Sequence, residues 1–143
     1  MIVEVSRRIK SAFDGDGGEL RPDADELAHL IGQAFVAGRF SDVHWLGTVA
    51  LQEATRRDRF EESWTDAAQD YRPFTGFRIS NLGKIDLAFI PSLEEVPQER
   101  FVAMVEIAFS SIDIPFDDPK AFTIGAVLLD QNGELRIGAI HAR

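Results

Sequence analysis

The dipeptide Asn132-Gly133 stands between two apolar runs, 121-AFTIGAVLLD-130 and 134-ELRIGAIHA-142, and it narrows the possible folds more than any other feature of the chain. A two-residue connection of this kind needs positive φ at both positions, which Asn and Gly tolerate, and its twist matches a tight antiparallel hairpin. The turn also implies a register, with Leu129 opposite Arg136, Leu128 opposite Ile137, Ala126 opposite Ala139 and Ile124 opposite His141. Paired residues share a face. Phe122, Ile124, Ala126, Leu128, Leu135 and Ile137 therefore form an inward set, with His141 beside them, and Thr123, Val127, Leu129, Arg136 and Ile140 an outward one.

The same alternation extends upstream. In 101-FVAMVEIAF-109 one face is Phe101, Ala103, Val105, Ile107 and Phe109, and the other is Val102, Met104, Glu106 and Ala108; the greasier first face is assigned to the interior. After Pro73 the apolar period is two. Thr75, Phe77 and Ile79 alternate with Gly76, Arg78 and Ser80, and beyond the turn 80-SNLG-83 Ile85, Leu87 and Phe89 alternate with Lys84, Asp86 and Ala88. Two strands are predicted there, with Lys84 and Asp86 outward beside Glu106. The loops 91-PSLEEVPQER-100 and 110-SSIDIPFDDPK-120 join the strands.

Before Pro73 the period is helical. Leu27, Leu30, Ile31, Ala34, Phe35 and Gly38 follow the i, i+3, i+4, i+7 rule, with Asp23 as N-cap, Glu26 as its capping-box partner and Gly38 as the left-handed stop. A short helix follows from the N-cap Ser41, with Val43 and Leu46 inward and Gly47 as its exit. The stretch 48-TVALQEA-54 is ambiguous. A third helix starts at Thr55 with Asp58 in the capping-box position, carries Phe60, Trp64, Ala67, Ala68 and Tyr71 on its apolar stripe, and ends at Pro73. Residues 2–13 place Ile2, Val5, Ile9 and Phe13 on one side of a helix, although Val3 and Val5 also suit a short strand, and 14-DGDGGELRPD-23 reads as a mobile connection. Asp14, Asp16 and Asp25 fall at calcium-loop spacing, but Gly18 and Glu19 stand where a ligand and a glycine are needed, so a solvated loop is the reading. Helices first and antiparallel strands afterwards is an α+β order. Residues 1–20 are taken as an extension and 21–143 as one domain.

Composition limits the partners. A formal charge of −9 repels phosphate backbones and anionic lipid, which argues against nucleic acid and membrane surfaces. The chain has no cysteine, hence no thiolate nucleophile or cysteine-type zinc site, and its three histidines lack metal-ligand spacing. No metal or cofactor is expected. Neither a signal-peptide run nor a membrane-length apolar stretch is visible, so a cytoplasmic location is the expectation.

The segment 34-AFVAGRFSDVHWL-46, a helix, a glycine and a short helix, followed by a third helix and a four- or five-stranded sheet, resembles the nuclear transport factor 2-like superfamily. It is most similar to bacterial single-domain members of unknown function that end in a strand, an Asn-Gly or Asp-Gly turn and a glycine-containing strand. The resemblance runs from about Arg21 to the C-terminus and implies a curved sheet that wraps the helices into a cone. Isomerases, dehydratases, cyclases and adaptors share that fold, so fold alone does not select a function. The isomerases' tyrosine and two aspartates have no matching pattern around Tyr71, Asp86 or Asp113.

Two functions follow as expectations. The first is a non-catalytic module whose cone holds a small apolar ligand or is filled by its own side chains, with Trp45, Phe60, Trp64, Tyr71, Phe77 and Phe109 at the mouth and 111-SIDIPFDD-118 as a lid. Its outer face, comprising Val102, Met104, Glu106, Val127, Leu129, Arg136 and Ile140, is too apolar for water and would be covered by a two-fold homodimer, with Glu106 paired to Arg136 or Lys84. The alternative is an isomerase-, dehydratase- or cyclase-like enzyme in which Tyr71 or His141 donates a proton and Asp113 or Glu106 is the base.

Overall fold

The computed structural model describes residues 18–143, so the readings made for residues 2–13 and for Asp14 and Asp16 lie outside the described residues. Four helices precede four strands: α1 Pro22–Ala37, α2 Phe40–Trp45, α3 Val49–Ala54, α4 Arg57–Ala68, then β1 Phe74–Gly83, β2 Phe101–Ser111, β3 Phe122–Gln131 and β4 Glu134–Ala142. The strands form one antiparallel sheet in the order β1-β2-β3-β4. The architecture is α+β.

Helix α1 begins at Pro22, whose fixed φ suits the first turn and which has no N–H to leave unpaired. Asp23 is not the N-cap. Its carboxylate is held by Arg21 at 2.6 and 3.0 Å, a charge-assisted pair that outcompetes the weaker backbone cap. The buried stripe is Ala24, Leu27, Ala28, Ile31, Ala34 and Phe35, while Leu30 stays exposed. Gly38 ends the helix in the left-handed region at φ 74°, and the Arg39 N–H reaches back to the Ala34 carbonyl at 2.8 Å. A side chain at Gly38 would meet the Arg72 guanidinium as well.

Arg–Asp pairs recur at the starts of α2 and α4. Asp42 binds Arg39 at 2.9 Å, and α2 starts at Phe40 rather than after Ser41. Asp58 binds Arg56 at 2.9 Å, no capping box forms with Thr55, and α4 starts at Arg57. The ambiguous stretch is α3, capped by the Thr48 hydroxyl, which accepts from the Leu51 N–H at 3.1 Å. Helix α4 buries Phe60, Trp64 and Ala68 and stops there, so Ala67 is exposed and Tyr71 lies in the turn beyond.

The hairpin turn is as read, with Asn132 at φ 56° and Gly133 at φ 87°. Leu129 pairs with Arg136 and Leu128 with Ile137, but Val127 then pairs with Ala139, Ala126 with Ile140 and Gly125 with His141. One extra residue, Gly138, is bulged out, and every side chain after it changes face. The cause is local. A Cβ at Gly138 would lie 2.4 Å from Leu129 Cδ1, so the glycine makes room for that side chain. Ile137 is also tied on its free edge, its N–H to the Leu46 carbonyl at 3.0 Å and its carbonyl to the Thr48 N–H at 2.9 Å. A second bulge at Val102, between the pairs Phe101–Leu129 and Ala103–Leu128, inverts the start of β2. Ile140 and Val102 therefore pack inward with the helices, whereas His141 and Phe101 face outward, the reverse of the uninterrupted alternation.

The predicted strand at 85–89 does not form. β1 runs through 80-SNLG-83 to Gly83, and Leu87–Phe89 is a turn of 3₁₀ helix capped by the Asp86 carboxylate. Lys84 and Asp86 thus leave the sheet face. The segment 84–100 folds back over the sheet, seating Ile85, Leu87, Ile90, Leu93 and Val96 on Met104, Val127 and Leu129. The Gln98 amide clamps it by accepting from the Leu87 N–H at 2.8 Å and donating to the Ile85 carbonyl at 2.9 Å. Two apolar layers result, one between helices and sheet and one under this segment. Each fully buried leucine of the outer layer contributes about 1.5–3 kcal/mol of transfer free energy. Among the described residues no helix is long and apolar enough to cross a membrane.

Candidate interaction site on the outer sheet face

The residues expected around a cone mouth are dispersed or packed together. Phe109 is fully buried, stacked on Phe35 at 5.3 Å and close to Phe74 at 4.8 Å between ring centroids. Phe35 also meets Trp64 edge-on at 5.1 Å, and Phe60 lies beside His44 at 5.2 Å. Tyr71 leans on Phe122 at 5.1 Å, and Phe77 packs over Gly32 near His29. These rings occupy the space between helices and sheet, each edge or face against another ring. Trp45 is apart from them, 68% exposed on the far side of α2.

The inward polar groups are engaged. His44 Nε2 donates to the Thr55 carbonyl at 2.6 Å, whereas Thr75, expected inward, is exposed, and its hydroxyl and that of Ser110 bond each other at 2.8 Å on the outer face. The loop after β2 is not a lid over the interior. Its Phe116 ring stands over Gly76, and Gly76 pairs with Ser110 on the outer face; Asp113 is exposed in the same loop.

The expected outer apolar surface is sealed by the chain itself. Met104, Val127 and Leu129 are buried under segment 84–100, while Val102 and Ile140 belong to the inner layer. Arg136 does not reach Glu106. Its Nη1 donates to the Trp45 carbonyl at 2.8 Å and its Nη2 pairs with Glu134 at 2.9 Å.

What the sheet does bring together is a polar strip between segment 84–100 and the Phe116 loop. Ser80, Glu106, Gly125 and His141 stand in one row across all four strands, and Arg78, Ala108 and Thr123 in the next. The row is built over a gap, because Gly125 has no side chain. A Cβ there would lie 3.0 Å from Arg143 Cδ and 3.1 Å from His141 Nε2, so both side chains lean across the bare backbone. Arg143 Nε comes within 3.5 Å of Glu106 Oε2, and both groups remain partly solvated. Burial, and then the nearby Arg143 charge, push the His141 imidazole below its usual pKa, which favours the neutral ring near pH 7. Burial also lowers Arg78, against the opposing attraction of Asp117 and Glu106.

Two of the residues singled out as acid and base candidates, His141 and Glu106, are thus neighbours, but on the open outer face. Sequence reasoning missed Arg78, Gly125 and Arg143 as their companions. Glycine inside an apolar strand, at 125 and 138, was the available signal, since it marks bulges and close approaches. No family model matches the sequence, and neither a curated protein nor a solved structure matches the chain.

Proposed function

We propose that this chain is a non-catalytic interaction domain of the cone-shaped, nuclear transport factor 2-like type, acting as a homodimer joined through the polar strip of its outer sheet face. The observation that carries this reading is the convergence of Glu106, Arg143 and His141 over the bare floor at Gly125. A strip bearing both signs of charge suits a self-complementary contact, in which a two-fold axis sets acidic groups of one protomer against basic groups of its partner. The catalytic alternative has less behind it, because acid–base chemistry needs its groups in a largely dry pocket and this strip is open.

Glu106→Arg tests the proposal, since the residue is half-exposed and its replacement leaves both apolar layers intact. Sedimentation equilibrium is expected to show a dimer for the parent chain and a dissociation constant at least about tenfold weaker for the variant, a loss near 1.4 kcal/mol. A parent chain still monomeric at about 100 µM, where an association of about 5.5 kcal/mol would be half complete, overturns it.

A further inference from the structure

Helix α2 is only six residues long, yet it is firmly seated: Phe40, Val43 and His44 are buried. Trp45 closes the helix on its opposite side, and its carbonyl accepts from Arg136 Nη1 at 2.8 Å and Gln52 Nε2 at 3.1 Å. The indole is therefore held out from the surface on an immobilised backbone. It borders a groove of about 480 Å³ together with Leu30, Ala34 and Leu46, and the rim carries Gln33, Arg39, Asp42 and Arg57. That volume falls within the range of small-ligand sites, and a few polar groups around an apolar floor are their usual composition.

The charges on the rim are unequal in availability. Arg39 is paired with Asp42 at 2.9 Å, and Arg56 with Asp58 at 2.9 Å. Arg57, the first residue of α4, makes no ion pair among the described residues. The groove thus presents one uncommitted guanidinium beside an exposed indole and an isobutyl group that is 45% exposed. A guanidinium selects a carboxylate by its two parallel donors, and an exposed indole selects a flat ring by stacking. The overall negative charge of the chain does not prevent this, because charges beyond about 10 Å are largely screened at 0.1 M salt.

We propose that the groove between α1, α2 and the start of α4 binds a small aromatic carboxylate, its ring against Trp45 and Leu30 and its carboxylate on Arg57. The site is independent of the outer sheet face, and it needs no chemistry beyond recognition.

The test uses the full chain with 2-naphthoate as probe, followed by calorimetry and by the emission of Trp45. Saturable binding with a change in tryptophan emission is expected. Trp45→Ala and Arg57→Gln should each weaken it about tenfold, and 2-naphthylmethanol, which has the ring without the charge, should bind about tenfold more weakly than the acid. Arg59→Gln is the control and should leave binding unchanged. Both targeted side chains are exposed, so the variants should retain the parent circular dichroism and the comparison is one of folded proteins. Absence of saturable binding up to about 5 mM, a free-energy change too small for a formed site, overturns the proposal. So does equal binding of the alcohol and the acid, or binding indifferent to either substitution.

Discussion

The two halves of the outer sheet face come from the same strands and differ in what lies over them. Toward one end Met104, Val127 and Leu129 are sealed under segment 84–100; toward the other, Glu106 is partly exposed and His141 exposed, with only side chains of the same strip lying over the buried Gly125. An apolar strand face needs a cover, but it does not specify whose. Here the cover is a stretch of the same chain, whose start, Ile85 and Leu87, has the spacing of a strand and whose later apolar residues, Ile90, Leu93 and Val96, do not. It binds the sheet through apolar side chains instead of through a ladder, and the Gln98 amide holds the segment's own fold together. The open half kept its charges because no such segment reaches it.

Leu129→Ala should separate the halves most sharply. Leu129 is almost wholly buried and supports both the covering segment and the bulge at Gly138. A loss of about 2–5 kcal/mol is expected in urea unfolding, as for other buried leucines. A loss below about 0.5 kcal/mol, the usual size for an exposed site, would mean that the cover contributes little. Gly138→Ala comes next. The added methyl would press on Leu129 Cδ1 at 2.4 Å, and overpacking of this kind costs about 1–3 kcal/mol. Gly125→Ala is the matched change on the open half; its methyl would meet only the flexible side chains of Arg143 and His141, so a smaller loss is expected. Equal losses at the two glycines would erase the distinction.

The smallest effect concerns pH. The folded state holds the His141 pKa below its usual value, so between the two values the unfolded chain binds more protons, and stability from this group rises with pH across that window. At lower pH that stability is lost. His141→Gln should flatten the slope of unfolding free energy between the folded pKa and about 6.5, the unperturbed value. An unchanged difference between the two proteins from pH 5 to pH 8 would show that the open half is too well solvated to sense the ring.

Much of this organisation was readable from local pattern. The period of α1, the left-handed stop at Gly38, the change of period after Pro73 and the pairs flanking Asn132-Gly133 all depend on residues within a few positions of one another, where backbone sterics and side-chain spacing act directly. The candidate site was less legible. Glu106 and His141 were both noticed, but strict alternation placed them on opposite faces, since Gly138 signals a bulge only in general and the demand of Leu129 for its space comes from the neighbouring strand.

The sequence by itself determined the kinds of element, their order and the antiparallel hairpin, because these follow from short-range periodicity and turn chemistry. Only the tertiary structure decided which side chains meet: the bulges at Val102 and Gly138 that exchange the faces, the use of 84–100 as a cover rather than a strand, and the outward position of Trp45. Those choices are settled by packing between segments tens of residues apart, where one methyl group in the wrong place outweighs any local preference.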